Sequence, residues 1–210
     1  MNKLFVMVGI PGSGKSKIAE DIAEKYNAVI VSTDEIRGEI YGDPSIQGDG
    51  AKIFGIAYFV MNQELANGHN VIFDATSVTK RARKNILNHV VVKPVEKTAV
   101  FVNTDLEICK RRNKERDRNV PDEVLDRMFG KLTKPDVLEG FNNVIEIDNL
   151  IFIFSSVLFQ IIFIQIIFQV RKDETAKETL MYGTVLWTLW ERERVGRFGR
   201  MALKHVKYHV

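Results

Sequence analysis

Cysteine is almost absent from this chain of 210 residues. The single one, Cys109, excludes an intrachain disulfide and a zinc site built on cysteines. With Lys110 and Arg111 beside it, it reads as a reduced, partly buried thiol on a helix. Excess charge is lacking too. The formal net charge is +3, so a site for a polyanion has to be local rather than a property of the whole surface. No internal repeat is visible. No secretory leader opens the chain, because residues 3–8 read as a strand, and the expected location is the cytoplasm. Apolar residues make up 45% and charged residues 27%, proportions of a globular protein with one sizeable core, or one domain plus an appendage.

What is present is a glycine loop that the rest of the chain is arranged around. Gly9, Ile10, Pro11, Gly12, Ser13, Gly14, Lys15 and Ser16 fit the phosphate-binding pattern G-x-x-x-x-G-K-[ST] at every fixed position. An apolar strand precedes the loop, and Ile18, Ala19, Ile22 and Ala23 after it share one helical face. Glycines let the chain curl so that backbone N–H groups at a helix start can approach phosphate oxygens. Lys15 can reach the β- and γ-phosphates of ATP, and Ser16 can ligate Mg²⁺.

Further strands are expected at residues 28–31, 71–76, 98–102 and 144–148, with helices between them. Such alternation predicts an α/β fold: a five-stranded parallel sheet with helices on both faces. Carboxylates fall at strand ends, where ligands bind in such sheets. Asp34 follows the second strand and is placed to act as base toward a hydroxyl, with Arg37 one turn on to grip an anion; a plain helix cap is the competing reading. Asp74 ends the third strand, as the acid that supports Mg²⁺ does in phosphate-loop proteins. The helix over residues 52–67 is expected to bury Ile53, Ile56, Ala57, Phe59, Val60 and Leu65. In the helix over residues 80–90, Lys80, Arg81, Arg83 and Lys84 read as a solvated face. Residues 105–118 are strongly basic, and Val120-Pro121 opens a further helix to about Leu132. Such a pair over a phosphate site forms a basic helical lid, whose arginines can neutralise a moving phosphoryl group.

The loop at 9–16, Ser-Thr-Asp-x-x-Arg at 32–37, Val-Ile-Phe-Asp at 71–74, Arg-Asn-x-x-Arg at 112–116 and Val-Pro-x-x-Val-x-x-x-Met at 120–128 together resemble the P-loop kinases that include phage-type polynucleotide 5′-kinases. The resemblance covers residues 1–148. It implies that Asp34 takes the proton of a 5′-hydroxyl, that Arg37 contacts the neighbouring acceptor phosphate, and that Arg116 contacts donor phosphates beside Lys15 and Ser16. Asp74 would support Arg37 or the metal shell. The implied activity is transfer of the γ-phosphate of ATP, with Mg²⁺, to the 5′-end of a nucleic acid. The alternatives are a small-molecule kinase and a nucleotide-binding module that transfers nothing. The Asp-x-Asp-Gly-Thr motif of the family's 3′-phosphatases is missing, and that activity is not expected.

Residues 149–210 do not resemble the family and read as an atypical appendage. No charge occurs over 149–170, a length that suits a membrane span, an extra buried element, or a terminus from a changed reading frame. Residues 171–210 are basic and aromatic, with Trp187 and Trp190 expected on the buried side of an amphipathic helix, and single-stranded nucleic acid or lipid headgroups as the alternative contacts. His205 and His209 read as surface residues, since no acidic or cysteine cluster accompanies them.

Overall fold

β-Branched and aromatic runs form the strands, and in the computed structural model each expected run is one. The structure describes residues 1–43, 46, 48–116 and 119–148, and the backbone of 207–209. β1 (Asn2–Val8) leads through the glycine loop into α1 (Lys15–Tyr26), β2 (Ala28–Ser32) and α2 (Thr33–Tyr41). α3 (Gly50–Ala66), β3 (Asn70–Asp74), α4 (Lys80–Asn88) and β4 (Val95–Asn103) follow. Then come α5 (Leu106–Lys114), α6 (Asp122–Gly130), a 3₁₀ turn (Val137–Glu139) and β5 (Asn143–Asp148). The strand order is β2-β3-β1-β4-β5, extended by a short β6 (Lys207–His209).

β1 is central. It runs parallel to β3, with Leu4 opposite Val71, and parallel to β4, with Val8 opposite Phe101. β2 runs parallel to β3 and ends with Ser32 opposite Asp74. This is the five-stranded parallel sheet expected; β6, which the sequence reading did not anticipate, pairs antiparallel with β5. Successive residues of a strand point to opposite faces. Leu4, Val6, Val71 and Phe73 therefore join Ile53, Ala57, Met61, Leu65 and Ile86 of α3 and α4 in one core. Phe5, Met7, Ile72 and Val100 meet Ala19 and Ile22 of α1 in the other. Helices thus cover both faces.

Local chemistry moves several boundaries. α3 starts at Gly50 rather than 52, because Asp49 caps it by accepting from the N–H groups of Ala51 at 2.9 Å and Lys52 at 3.3 Å. Its buried stripe is Ile53, Ala57, Met61 and Leu65, spaced by four. Phe59, expected inside, lies two residues off that stripe and is 68% exposed, while Met61 takes the core position. α6 is shorter than expected, with Pro121 at the cap rather than within the first turn. Lys80, Arg81 and Lys84 are exposed as expected, but Arg83 is fully buried, on the inner side of the same helix.

No helix among the described residues is long and apolar enough to cross a membrane. The readings made for residues 149–170 and for the tail lie outside the described residues, apart from the backbone of β6.

Candidate functional site

Four helices begin with a side chain that closes the backbone: Ser32 caps α2, Asp49 α3, Thr79 α4 and Asp105 α5. α6 opens on Pro121 without such a bond. α1 lacks one too: its cap is Gly14, in the left-handed conformation at φ 97°, with no side-chain hydrogen bond to the first turn. The first N–H groups of a helix have no partner inside it, and together with the helix dipole they attract an anion. The glycine loop lies immediately before this opening, at the C-terminal end of the central strand.

Neighbouring elements hold the loop in shape. Gly9 N–H donates to the Thr76 carbonyl at 3.1 Å, on the loop after β3. Ser13 N–H donates to the Ile10 carbonyl at 3.2 Å. Thr104 Oγ1, at the end of β4, donates to the Ser13 carbonyl at 2.9 Å. The Cys109 carbonyl of α5 lies so close to Gly12 that a Cβ on Gly12 would sit 2.3 Å from it, and Gly12 has φ 78°. Gly12→Ala is therefore expected to combine overpacking with left-handed strain and to lose about 1–3 kcal/mol of stability, measured by denaturant unfolding. An unchanged midpoint would show that α5 gives way freely. Cys109 itself is fully buried rather than partly so, and burial pushes its thiol up to about 11, so it serves as packing rather than as a nucleophile.

Lys15 lies under the loop, 9% exposed, with Nζ donating to the Ile10 carbonyl at 3.0 Å. Burial lowers its pKa from the ordinary lysine value; Asp74 and Asp34 oppose this and Arg116 adds to it. Ser16 Oγ donates to Asp74 Oδ2 at 3.3 Å. Burial raises the Asp74 carboxyl, with Lys15 and the Ser16 hydroxyl pulling the other way. Lys15, Asp34, Asp74 and Arg116 therefore share one electrostatic neighbourhood. A hydroxyl and a carboxylate in contact are hard oxygen donors, which fit Mg²⁺ completed by phosphate and water. Among the described residues no group of three or more His, Cys, Asp or Glu side chains gathers for a metal.

Asp34 and Arg37 lie in the first turns of α2, whose Ser32 cap accepts from Glu35 N–H at 3.3 Å. The side-chain cap of α2 is thus Ser32 rather than Asp34. Arg37 Nη1 meets Asp34 Oδ1 at 2.5 Å; the arginine side chain is 11% exposed and the carboxylate 54%. Among the described residues the buried Arg37 Nε has no hydrogen-bond partner. Thr33 Oγ1 donates to the Asp74 carbonyl at 3.3 Å, tying the start of α2 to the end of β3.

α5 and α6 pair as expected, but part of their basic charge is structural. Lys110 meets Asp126 at 2.7 Å and Lys114 meets Asp122 at 3.3 Å. Asn113, the asparagine of the Arg-Asn-x-x-Arg run, is fully buried and closes the turn between them by donating to the Val120 carbonyl and accepting from Val120 N–H. Arg116 remains exposed at the end of α5. Thr76 and Thr104 carry no motif; only their contacts give them roles.

A family model described as an AAA domain matches residues 4–135. L-seryl-tRNA(Sec) kinase from Methanococcus maripaludis is 23% identical over 139 residues, which are 63% of this chain and 53% of that protein. The chain thus spans about half the length of that relative. Among solved structures, the Pnkp1/Rnl/Hen1 RNA repair complex holds a chain that superposes with a TM-score of 0.55 at 24% identity, over 62% of this chain and 44% of that one. Kti12 from Chaetomium thermophilum, solved with ADP-AlF3, gives 0.55 at 15% identity, over 69% and 88%. These likenesses establish the α/β P-loop fold.

Proposed function

This chain belongs to the AAA domain family whose model spans residues 4–135, and on that premise we propose that it is an ATP-dependent phosphotransferase of the P-loop kinase type. The observation that carries the proposal is the Asp34–Arg37 pair. A carboxylate about half exposed stands beside a phosphate loop, held at 2.5 Å by an arginine with a spare buried donor. A module that only binds nucleotide has no need of that arrangement.

The donor phosphates rest on the loop from Gly9 to Ser16, against the N–H groups of Ile10, Gly12 and Gly14 and the open start of α1, with Pro11 stiffening the curl. Lys15 leaves the Ile10 carbonyl for the β- and γ-phosphates. Ser16 and Asp74 would hold Mg²⁺, which supplies charge neutralisation across those phosphates. Asp34 accepts the proton of the acceptor hydroxyl. The acceptor oxygen then bonds to the γ-phosphorus as the β–γ bridging bond breaks and ADP leaves. Arg116 neutralises charge on the moving phosphoryl group.

The acceptor is the 5′-hydroxyl of a polynucleotide. Arg37 supports this reading, since an acceptor with a phosphate near its hydroxyl would satisfy the buried Nε. The names of a tRNA kinase and an RNA repair complex among similar proteins point the same way. The test compares label transfer from the γ-phosphate of ATP to a 5′-hydroxyl nucleoside 3′-phosphate, the bare nucleoside and a sugar. The 3′-phosphate compound is expected to be preferred by at least about tenfold in kcat/KM, the equivalent of one charge-assisted hydrogen bond. Equal or better transfer to the bare nucleoside or the sugar would overturn the acceptor reading and leave a small-molecule kinase.

A further inference from the structure

Arg83 heads the fully buried side chains in size, and nothing in the proposed chemistry uses it. Its Nε donates to Glu139 Oε2 and its Nη2 to Glu139 Oε1, both at 2.7 Å, a two-pronged fork on a carboxylate of the 3₁₀ turn. The remaining donors go elsewhere. Nη1 reaches the carbonyls of Ser77 and Val78, each at 3.2 Å, and that of Thr133 at 3.0 Å. Nη2 also reaches Thr133 Oγ1 at 3.2 Å. Thr133 in turn donates from its N–H to the Val78 carbonyl at 3.0 Å and from Oγ1 to the same oxygen at 3.3 Å.

A buried ion pair is a poor device for raw stability, because desolvation consumes most of its attraction. What this one does is join specific segments. Thr133 lies three residues past the end of α6. Ser77 and Val78 belong to the loop after Asp74, and the adjoining Thr76 carbonyl holds Gly9 of the phosphate loop at 3.1 Å. The entry to α5 is fixed separately, through Thr104 to Ser13 and through the Cys109 carbonyl against Gly12. Both ends of the α5–α6 pair are thus fastened to loops of the phosphate site, and at the exit Arg83 makes the fastening together with the direct Thr133–Val78 bonds.

We infer that Arg83 is a positioning residue: it fixes the exit of the α5–α6 pair on the phosphate site, so that Arg116 meets the transferring group. The inference rests on the phosphotransfer reading for its use but not for its test. Hydrogen exchange is followed on the whole chain, with and without Mg²⁺ and a non-hydrolysable ATP analogue, in wild type, Arg83→Lys and Thr133→Val. The second variant removes only the hydroxyl and its bonds, and keeps the measurement valid if Arg83→Lys does not fold. The analogue is expected to slow exchange in the first turns of α1 in every folded variant. In α6 it is expected to slow exchange in wild type and at least about threefold less in the variants, an effect within the range of a lost hydrogen bond. Equal protection of α6 in wild type and Thr133→Val overturns the inference, whether or not transfer is ever detected. Where transfer is detected, the same two substitutions are made in an Arg116→Ala background. If Arg83 acts through Arg116, the loss in kcat from Thr133→Val shrinks toward none there. If the losses simply multiply, Arg83 is a structural post only. Absence of transfer in wild type, with α6 protection intact, counts against the phosphotransfer reading alone.

Discussion

Asp34→Asn is expected to lower the rate of γ-phosphate transfer by about 10²–10⁴-fold, the usual worth of a positioned base, while ATP affinity stays within about threefold of wild type. The two parts separate because Asp34 lies on α2, whereas the proposed donor site is the loop, Lys15 and the start of α1. Asparagine keeps the shape and still accepts a hydrogen bond from Arg37, but it cannot take a proton at neutral pH. The helix itself is not at risk, since Ser32 rather than Asp34 caps it. Single-turnover transfer and calorimetric titration of ATP check the two parts. Full transfer by the variant would remove Asp34 from the chemistry; loss of ATP affinity in step with rate would make it part of the donor site instead.

Glu139→Leu is expected to cost about 3–5 kcal/mol, because it strands the Arg83 guanidinium in the core. The two side chains are 0% and 2% exposed, so water cannot reach in to replace the lost carboxylate. At about 2–4 °C per kcal/mol for a chain of this size, the midpoint of thermal unfolding falls by roughly 10 °C. Arg83→Met combined with Glu139→Leu is expected to recover a good part of the loss, since removing both charges removes the desolvation cost as well. A double variant no better than Glu139→Leu would mean that the bonds from Arg83 to Thr133 and the Ser77–Val78 loop, not the ion pair, carry the stability.

The parts of this molecule that were legible in its sequence are those whose physics is local. The glycine loop is a contiguous motif, and its strand and helix flank it directly, so residues 9–16 and the order of β1 and α1 follow from neighbours. Asp34 and Arg37 are three apart on one helix and meet for that reason. Asp74 could be placed at a strand end, but its contact with Ser16, 58 residues away, depends on β3 lying next to β1. Arg83 shows the opposite limit. In a run of basic residues it looks solvated, and its burial is set by a glutamate 56 residues later, at a turn whose pairing with α4 no local pattern shows. Phe59 and Met61 are both apolar, and only the direction in which α3 faces the sheet separates them. Thr104 and Thr76 each work through a single hydrogen bond to backbone, which leaves no periodic trace.

The account stands most directly on one measurement: transfer of labelled γ-phosphate from ATP, with Mg²⁺, to a short 5′-hydroxyl oligonucleotide by wild type and by Lys15→Ala. The account predicts label on the 5′-end with wild type and a loss of at least about 10²-fold in the variant, the scale of removing a charge that stabilises the moving phosphoryl group. An oligonucleotide left unlabelled by wild-type protein that binds ATP through Lys15 would contradict it.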